Sequence, residues 1–283
     1  GQQTISSATI TLWIDRVKQA SINYTPAKPL SFMQRDTLTL GSFRLADGLH
    51  QLVACLQIAN DNNPFNDTLT AIRYVCDKPI KDDTLVVGSS ALADYHFADM
   101  KLLYKKINEC EVEGDLTIFF EKGFYEGKID FSIIAAAMKK HHLTLTSADK
   151  KQTVIADSNN IIKVGSNNSH IHINNLTIQS YKATYTYGIR IEEGCSDIEI
   201  TNNRFLGDTF NRTQTNIYHI YNPNGIVERI RIANNSFDGG DYGLRIVGRA
   251  SKRCSYGIII DSNIFTNNYL YSIYLSFVQT PSI

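Results

Sequence analysis

Five side chains recur once per repeat along the second half of the chain: Lys163, Arg190, His219, Arg245 and Tyr274. Four of them sit in copies of one short phrase: Tyr187-Gly-Ile-Arg-Ile191, Asn216-Ile-Tyr-His-Ile220, Tyr242-Gly-Leu-Arg-Ile246 and Tyr271-Ser-Ile-Tyr-Leu275. If the phrase is a strand and its copies stack, the five side chains form one outward column of cations and donors with an aromatic at one end. That chemistry suits a linear acidic sugar chain, because guanidinium and ammonium groups take carboxylates and an aromatic ring adds a π-face. Gly188, Gly243 and Ser272 flank the column with little bulk, so a ligand chain could lie close to the backbone. No acid falls within the column, and Glu192 stands beside it. The same residues also read as a solvated, mildly basic face. Arg249, Lys252 and Arg253, in the turn after Ile246, either extend the stripe or serve solubility.

Two further outward columns carry titratable groups. One is His170, Asp197, Arg229 and Gly257; the other is His172, Glu199, Arg231 and Ile259. Each runs histidine, acid, arginine. Opposite charges stacked at sheet spacing contribute about 0.2–1 kcal/mol per pair, and a soluble wall is a simpler account than a catalytic histidine–carboxylate pair. His170 and His172 lack a third ligand at metal spacing, so no metal is expected there and no cofactor is read from the sequence; Ca2+ stays open as an alternative that no Asp-rich cluster supports.

A repeat positions all of these. The phrase Ile171-His-Ile-Asn-Asn-Leu-Thr-Ile178 returns as Ile198-Glu-Ile-Thr-Asn-Asn-Arg-Phe205, Ile230-Arg-Ile-Ala-Asn-Asn-Ser-Phe237 and Ile258-Ile-Ile-Asp-Ser-Asn-Ile-Phe265, at steps of 27, 32 and 28 residues. Two period-2 strands per repeat with Asn at the bend predict a parallel β-solenoid whose coils continue one another's sheets. Ile171, Ile198, Ile230 and Ile258 then stack in one interior column, and Ile173, Ile200, Ile232 and Ile260 in the next. Ile178, Phe205, Phe237 and Phe265 make a third. Asn175, Asn202 and Asn234, with Ser262 last, take the left-handed turn position and bond along the stack. Leu143-Thr-Leu145 and Ile162-Lys-Val164 mark weaker earlier coils, for about six in all.

Composition allows more than one domain: 283 residues, 43 % hydrophobic, with zero formal charge. Nothing global points to nucleic acid or an anionic membrane, and no apolar run is long enough to span a bilayer. The five cysteines, Cys55, Cys76, Cys110, Cys195 and Cys254, show no metal spacing and read as mostly buried free thiols. Residues 1–77 read as a β-sandwich module, with strands at Ile10-Thr-Leu-Trp-Ile14, Asp36-Thr-Leu-Thr-Leu40, Gly48 to Ile58 and Thr68 to Val75. Residues 78–86 form a polar linker and residues 87–283 the solenoid. A helix near residues 91–110, with the stripe Phe97, Met100, Leu103, Tyr104 and Ile107, caps its open end.

Gly48, His50, Leu52 and the turn-rich residues 60–68 resemble the closing hairpin of immunoglobulin-like modules in large Bacteroidetes surface proteins. The order helix, Gly114, Leu116-Thr-Ile-Phe-Phe120, then Gly123-Phe-Tyr-Glu126 is similar to secreted right-handed parallel β-helix proteins related to pectate lyases. The two resemblances imply a secreted or cell-surface protein that begins inside a longer chain, with further sequence or a partner following the uncapped end. Its expected work is binding carbohydrate, such as an acidic polysaccharide or surface glycan, or acting as an adhesin. The alternatives are a polysaccharide lyase or glycoside hydrolase of that superfamily, and a spacer that binds nothing. Lyases of this type abstract a proton beside a uronate with Lys or Arg, which makes Lys163 and Arg190 the candidate catalytic pair.

Overall fold

The computed structural model describes residues 4–31, 33–59, 61, 67–81, 83–88, 96–134, 139–180, 185–207, 216–250 and 254–283. They form two units, Gly1–Lys78 and Pro79–Ile283.

Among the described residues of the first unit, one antiparallel sheet of four strands is present, in the order Val17–Tyr24, Ala8–Ile14, Gly48–Gln57, Thr68–Val75. Asp15 and Arg16, both left-handed at φ 49° and 67°, close a two-residue hairpin between the first two strands. Asp15 is also tied down: its carboxylate accepts from Gln51 N at 2.9 Å and meets His50 Nδ1 at 2.6 Å. Asp36-Thr-Leu-Thr-Leu40, expected as a strand, is not one. The strand that takes its place in sequence order is Val17–Tyr24, a mostly exposed edge whose polar residues hide its alternation.

The described strands of the second unit assemble into a parallel β-helix of three sheets, one of nine strands and two of six. Asp83–Val87 falls partly in the span expected as linker, yet it pairs in register with Leu116–Phe120 and belongs to the nine-stranded sheet. Ile80 is buried there as well. The helix runs Met100–Glu109, with Asp99 as N-cap accepting from Leu102 N at 2.9 Å. It is shorter than expected: residues 91–95 lie outside the described residues, and Phe97 belongs to the short strand His96–Phe97. Its buried face, Met100, Leu103 and Ile107, packs on His96–Phe97 and Asp83–Val87, the last two strands of the nine-stranded sheet. No helix among the described residues is long and apolar enough to cross a membrane.

The interior columns are those the repeat dictates. Ile171, Ile198, Ile230 and Ile258 pair in succession and are buried, as are Ile173, Ile200, Ile232 and Ile260. Phe205, Phe237 and Phe265 stack with centroids 4.7 and 4.8 Å apart. The bend residues Asn175, Asn202, Asn234 and Ser262 are left-handed, at φ 57°, 55°, 57° and 53°. The main buried ladder, however, belongs to the next residue along. Asn203 N donates to Asn235 Oδ1 at 2.8 Å and Asn235 N to Asn263 Oδ1 at 3.0 Å, while the three amides donate to the carbonyls of Ile173, Ile200 and Ile232. Backbone groups that the bend would leave unpaired are satisfied inside the coil.

Two cysteines differ from expectation: Cys76 and Cys110 are each in disulfide form rather than free thiols. Cys55, Cys195 and Cys254 are free, and burial pushes the Cys195 thiol up to about 12, so it is an inert core group.

Candidate functional site

One six-stranded sheet is built from Ile129–Asp130, Asn160–Val164, Tyr185–Ile191, Asn216–Asn222, Tyr242–Val247 and Tyr271–Ser276. Its register aligns Lys163 with Arg190, Arg190 with Tyr221, Tyr221 with Arg245, and Arg245 with Tyr274. Four of the five expected residues therefore share a column. His219 does not; Tyr221 holds its place.

The correction is a slip of two residues: His219 stands beside Gly188 rather than Arg190. Because His219 and Ile220 are both buried in succession, the alternation breaks there and Tyr221 faces out. Ile220 pairs with Ile189 and Leu244, and Tyr218 with Tyr187 and Tyr242. That turns His219 inward, fully buried between the rings of Phe205 and Phe237, with Nε2 donating to Gly239 O at 3.0 Å. Burial drives its pKa down to about 4, so it is a neutral core group. Asn222 also faces inward and donates to Ile191 O at 3.0 Å. Two polar residues at interior positions obscure the apolar pattern of this coil, so aligning Ile220 with Ile191 instead of Ile189 sets the frame two residues out. The tyrosine that opens the phrase carried the true register.

The flanking glycines are interior too. A Cβ on Gly188 would lie 2.6 Å from His219 O, and one on Gly243 would lie 2.5 Å from Ser272 O. Their small size lets neighbouring coils close up; it does not open the face to a ligand.

Beside the column runs a tyrosine ladder, Tyr187, Tyr218, Tyr242 and Tyr271, with successive centroids 5.4, 4.8 and 5.6 Å apart and rings within 25° of parallel. The sequence shows three of these tyrosines at the head of their phrases, but spacing alone gave no sign that they pack on the column. Tyr221 leans 4.5 Å from Tyr187, Arg190 lies over Tyr187 at 5.5 Å, and Arg245 sits between Tyr221 at 5.3 Å and Tyr274 at 5.5 Å. Stacking consumes the ring faces, so the sheet presents ring edges, hydroxyls and guanidinium N–H groups. Burial raises the phenol of Tyr187 and pushes that of Tyr218 up to about 12, which keeps both as O–H donors at neutral pH.

Carboxylates also enter this face. Asp130 is in register with Lys163 and lies 3.6 Å from its ammonium, so the column does begin with an acid. Glu192 accepts from Arg190 Nε at 2.7 Å, and Glu193 from Arg249 at 2.8 Å. Lys163 and Arg190 are thus each held by an acid. Arg245 has no carboxylate within ion-pair distance among the described residues. Lys252 and Arg253 lie outside the described residues.

The nine-stranded sheet carries the other two columns where the repeat puts them, His172, Glu199, Arg231 and Ile259 being in register. His170, Asp197, Arg229 and Gly257 are all left-handed, at φ 57°, 55°, 51° and 66°, so these four neighbouring strands bend at the same level. The bend shapes a groove of about 720 Å³ lined by both columns together with His142 and Thr144. Within it Arg229 grips Asp197 bidentately at 2.6 and 2.8 Å, holding that carboxyl below the usual range. His172 Nε2 meets Thr201 Oγ1 at 2.7 Å, and burial lowers its pKa more than Glu199 raises it. No group of three His, Cys, Asp or Glu among the described residues is placed to hold a metal.

No family model matches the chain, and no curated protein matches it in sequence. Among solved structures it is similar to pectin methylesterase PemA from Erwinia chrysanthemi, at 12 % identity and a TM-score of 0.40 over 64 % of this chain and 66 % of that one. It is also similar to a pectin methylesterase in complex with hexasaccharide VII, at 13 % identity and a TM-score of 0.38 over the same shares. The chain thus spans just under two thirds of each of these enzymes.

Proposed function

We propose that the second unit binds an acidic polysaccharide along the tyrosine-bearing sheet, as a secreted or surface-attached protein. The observation that carries this reading is the run Lys163, Arg190, Tyr221, Arg245, Tyr274 beside four stacked tyrosines, one donor group per coil at about 4.8 Å intervals. A polymer lying along the coil axis meets a charge or a hydroxyl at each step. The tyrosines hold the guanidinium planes in place before ligand arrives, so little rotamer entropy is lost on binding. Arg245 is the strongest single contact, because no acid competes for it among the described residues. The disulfide-bonded state of Cys76 and Cys110 suits an oxidising compartment.

The test is a comparison of wild type with Arg190→Ala/Arg245→Ala for affinity to a uronate polymer. Losing two charge-assisted contacts, each worth about 1.5–3 kcal/mol, should weaken binding at least about tenfold. Thermal unfolding should be almost unchanged, since both side chains are outward-facing strand positions. Equal affinity in the two proteins would refute the reading. The appearance of unsaturated, ultraviolet-absorbing products would replace it with a lyase, for which Lys163→Ala should then be inactive.

A further inference from the structure

We propose that the groove on the nine-stranded sheet is a second binding site, for a small carboxylate that also carries hydroxyls, the chemistry of a single uronic acid. The argument starts from what the groove leaves unused. Asp197 and Arg229 satisfy each other, and Arg229 also reaches Glu228 at 3.3 Å, so these groups form a fixed wall. Arg231 and Glu199 are neighbours in register yet make no ion pair with each other, and neither has another charged partner within ion-pair distance among the described residues. A guanidinium and a carboxylate left open on one concave surface are an acceptor set for a ligand bearing both kinds of group. Arg231 takes a carboxylate through two parallel N–H donors, and Glu199 accepts from vicinal hydroxyls.

The remaining lining fits the same ligand. His172 is anchored through Nε2 on Thr201, which aims its ring and leaves Nδ1 for a ligand hydroxyl. At the far end Gly257 adds no side chain and Ile259 is 41 % exposed, an apolar patch against which the C–H face of a sugar ring packs. A volume near 720 Å³ is in the range of small-molecule sites; the lining runs over five adjacent strands, and a single uronate occupies the part around the in-register neighbours Glu199 and Arg231. The left-handed residues His170, Asp197 and Arg229 adjoin the groove at one level of three neighbouring strands. Non-glycine residues in that conformation cost about 1 kcal/mol or more each, and here they hold the bend that makes the sheet concave.

This site is independent of the tyrosine face, and the experiment separates the two. Calorimetric titration of the whole chain uses D-glucuronate and D-galacturonate as probes, with D-glucose, D-galactose and acetate as comparators, up to about 10 mM. At least one uronate should bind, and both the neutral sugars and acetate should bind at least about tenfold more weakly. Arg231→Ala should abolish the monosaccharide signal and Glu199→Gln should weaken it several-fold, while Lys122→Ala, at an exposed cation outside both faces, leaves it unchanged. Circular dichroism of Arg231→Ala checks that the fold is intact, and Arg231→Lys, which keeps the charge but loses the fork, should recover only part of the affinity. The proposal is overturned if no uronate binds, if acetate or the neutral sugars bind equally well, or if Arg245→Ala and not Arg231→Ala removes the signal.

Discussion

Ile230→Asp should leave the solenoid unfolded at room temperature, whereas Ile259→Asp, on the next strand and one residue along in register, should fold. Ile230 is fully buried and pairs with Ile198 on one side and Ile258 on the other. An aspartate there has no cation within the core. An unpaired buried charge costs several kcal/mol, and the lost isoleucine packing costs about 2–5 kcal/mol more. A typical domain has only about 5–15 kcal/mol to lose. Ile259 instead faces the groove, and exchanging it for a carboxylate should change stability by about 1 kcal/mol or less. Urea titration followed by circular dichroism distinguishes the two variants. If the strand register were one residue out, the outcomes would be exchanged.

Acid should weaken the solenoid well before its carboxylates protonate, and His219 is the main reason. Its folded pKa of about 4 lies below the 6.5 of an unperturbed histidine. Above pH 6.5 the ring is neutral in both states. As pH falls below 6.5 the unfolded chain takes a proton that the folded chain refuses, and stability declines until the folded ring titrates near 4. A difference of that size corresponds to on the order of 3 kcal/mol. His219→Gln cannot titrate, yet its amide can still donate toward Gly239 O. The drop in urea midpoint between pH 7 and pH 4.5 should therefore be much smaller in the variant than in wild type. His172 has a lowered pKa and pulls the same way in both proteins, so the difference isolates His219. An identical acid response in the two would show that the ring is not the buried neutral group described above.

These two cases also mark what the sequence could and could not convey. The isoleucine and phenylalanine columns were legible because apolar residues recur at period 2 and the bend asparagines fix their offset in every copy. The third coil departs from the sequence reading because His219 and Ile220 both turn inward in succession and His219 and Asn222 are polar at interior positions, where hydrogen bonds to Gly239 O and Ile191 O make such side chains tolerable. Nothing in their residue types announces that. Val17–Tyr24 is harder to read for a related reason: only Ala20, Ile22 and Tyr24 are half-buried, and Val17, Lys18 and Gln19 before them are all exposed, so the alternation covers half of the strand. In the groove, every lining column was named from the repeat, but its concavity was not. The bend sits at His170, Asp197 and Arg229, and unlike the repeated Asn of the other bend these three different residue types give no shared signal of a left-handed position. The charge pairing of the binding column was only half visible, since Glu192 is adjacent to Arg190 but Asp130 reaches Lys163 from a coil earlier.

Retention of the wild-type chain on an immobilised uronate polymer, followed as salt is raised, tests the central claim most directly. Exposed guanidinium–carboxylate contacts are screened as the Debye length falls from about 10 Å at 0.1 M to about 3 Å at 1 M. Retention should be clear at the lower ionic strength, fall steeply toward the higher one, be absent on a neutral polymer of the same length, and vanish with Arg190→Ala/Arg245→Ala. No retention on the acidic polymer at low salt, or retention indifferent to salt and to both substitutions, would contradict the account and leave the tyrosine sheet as a solvated wall.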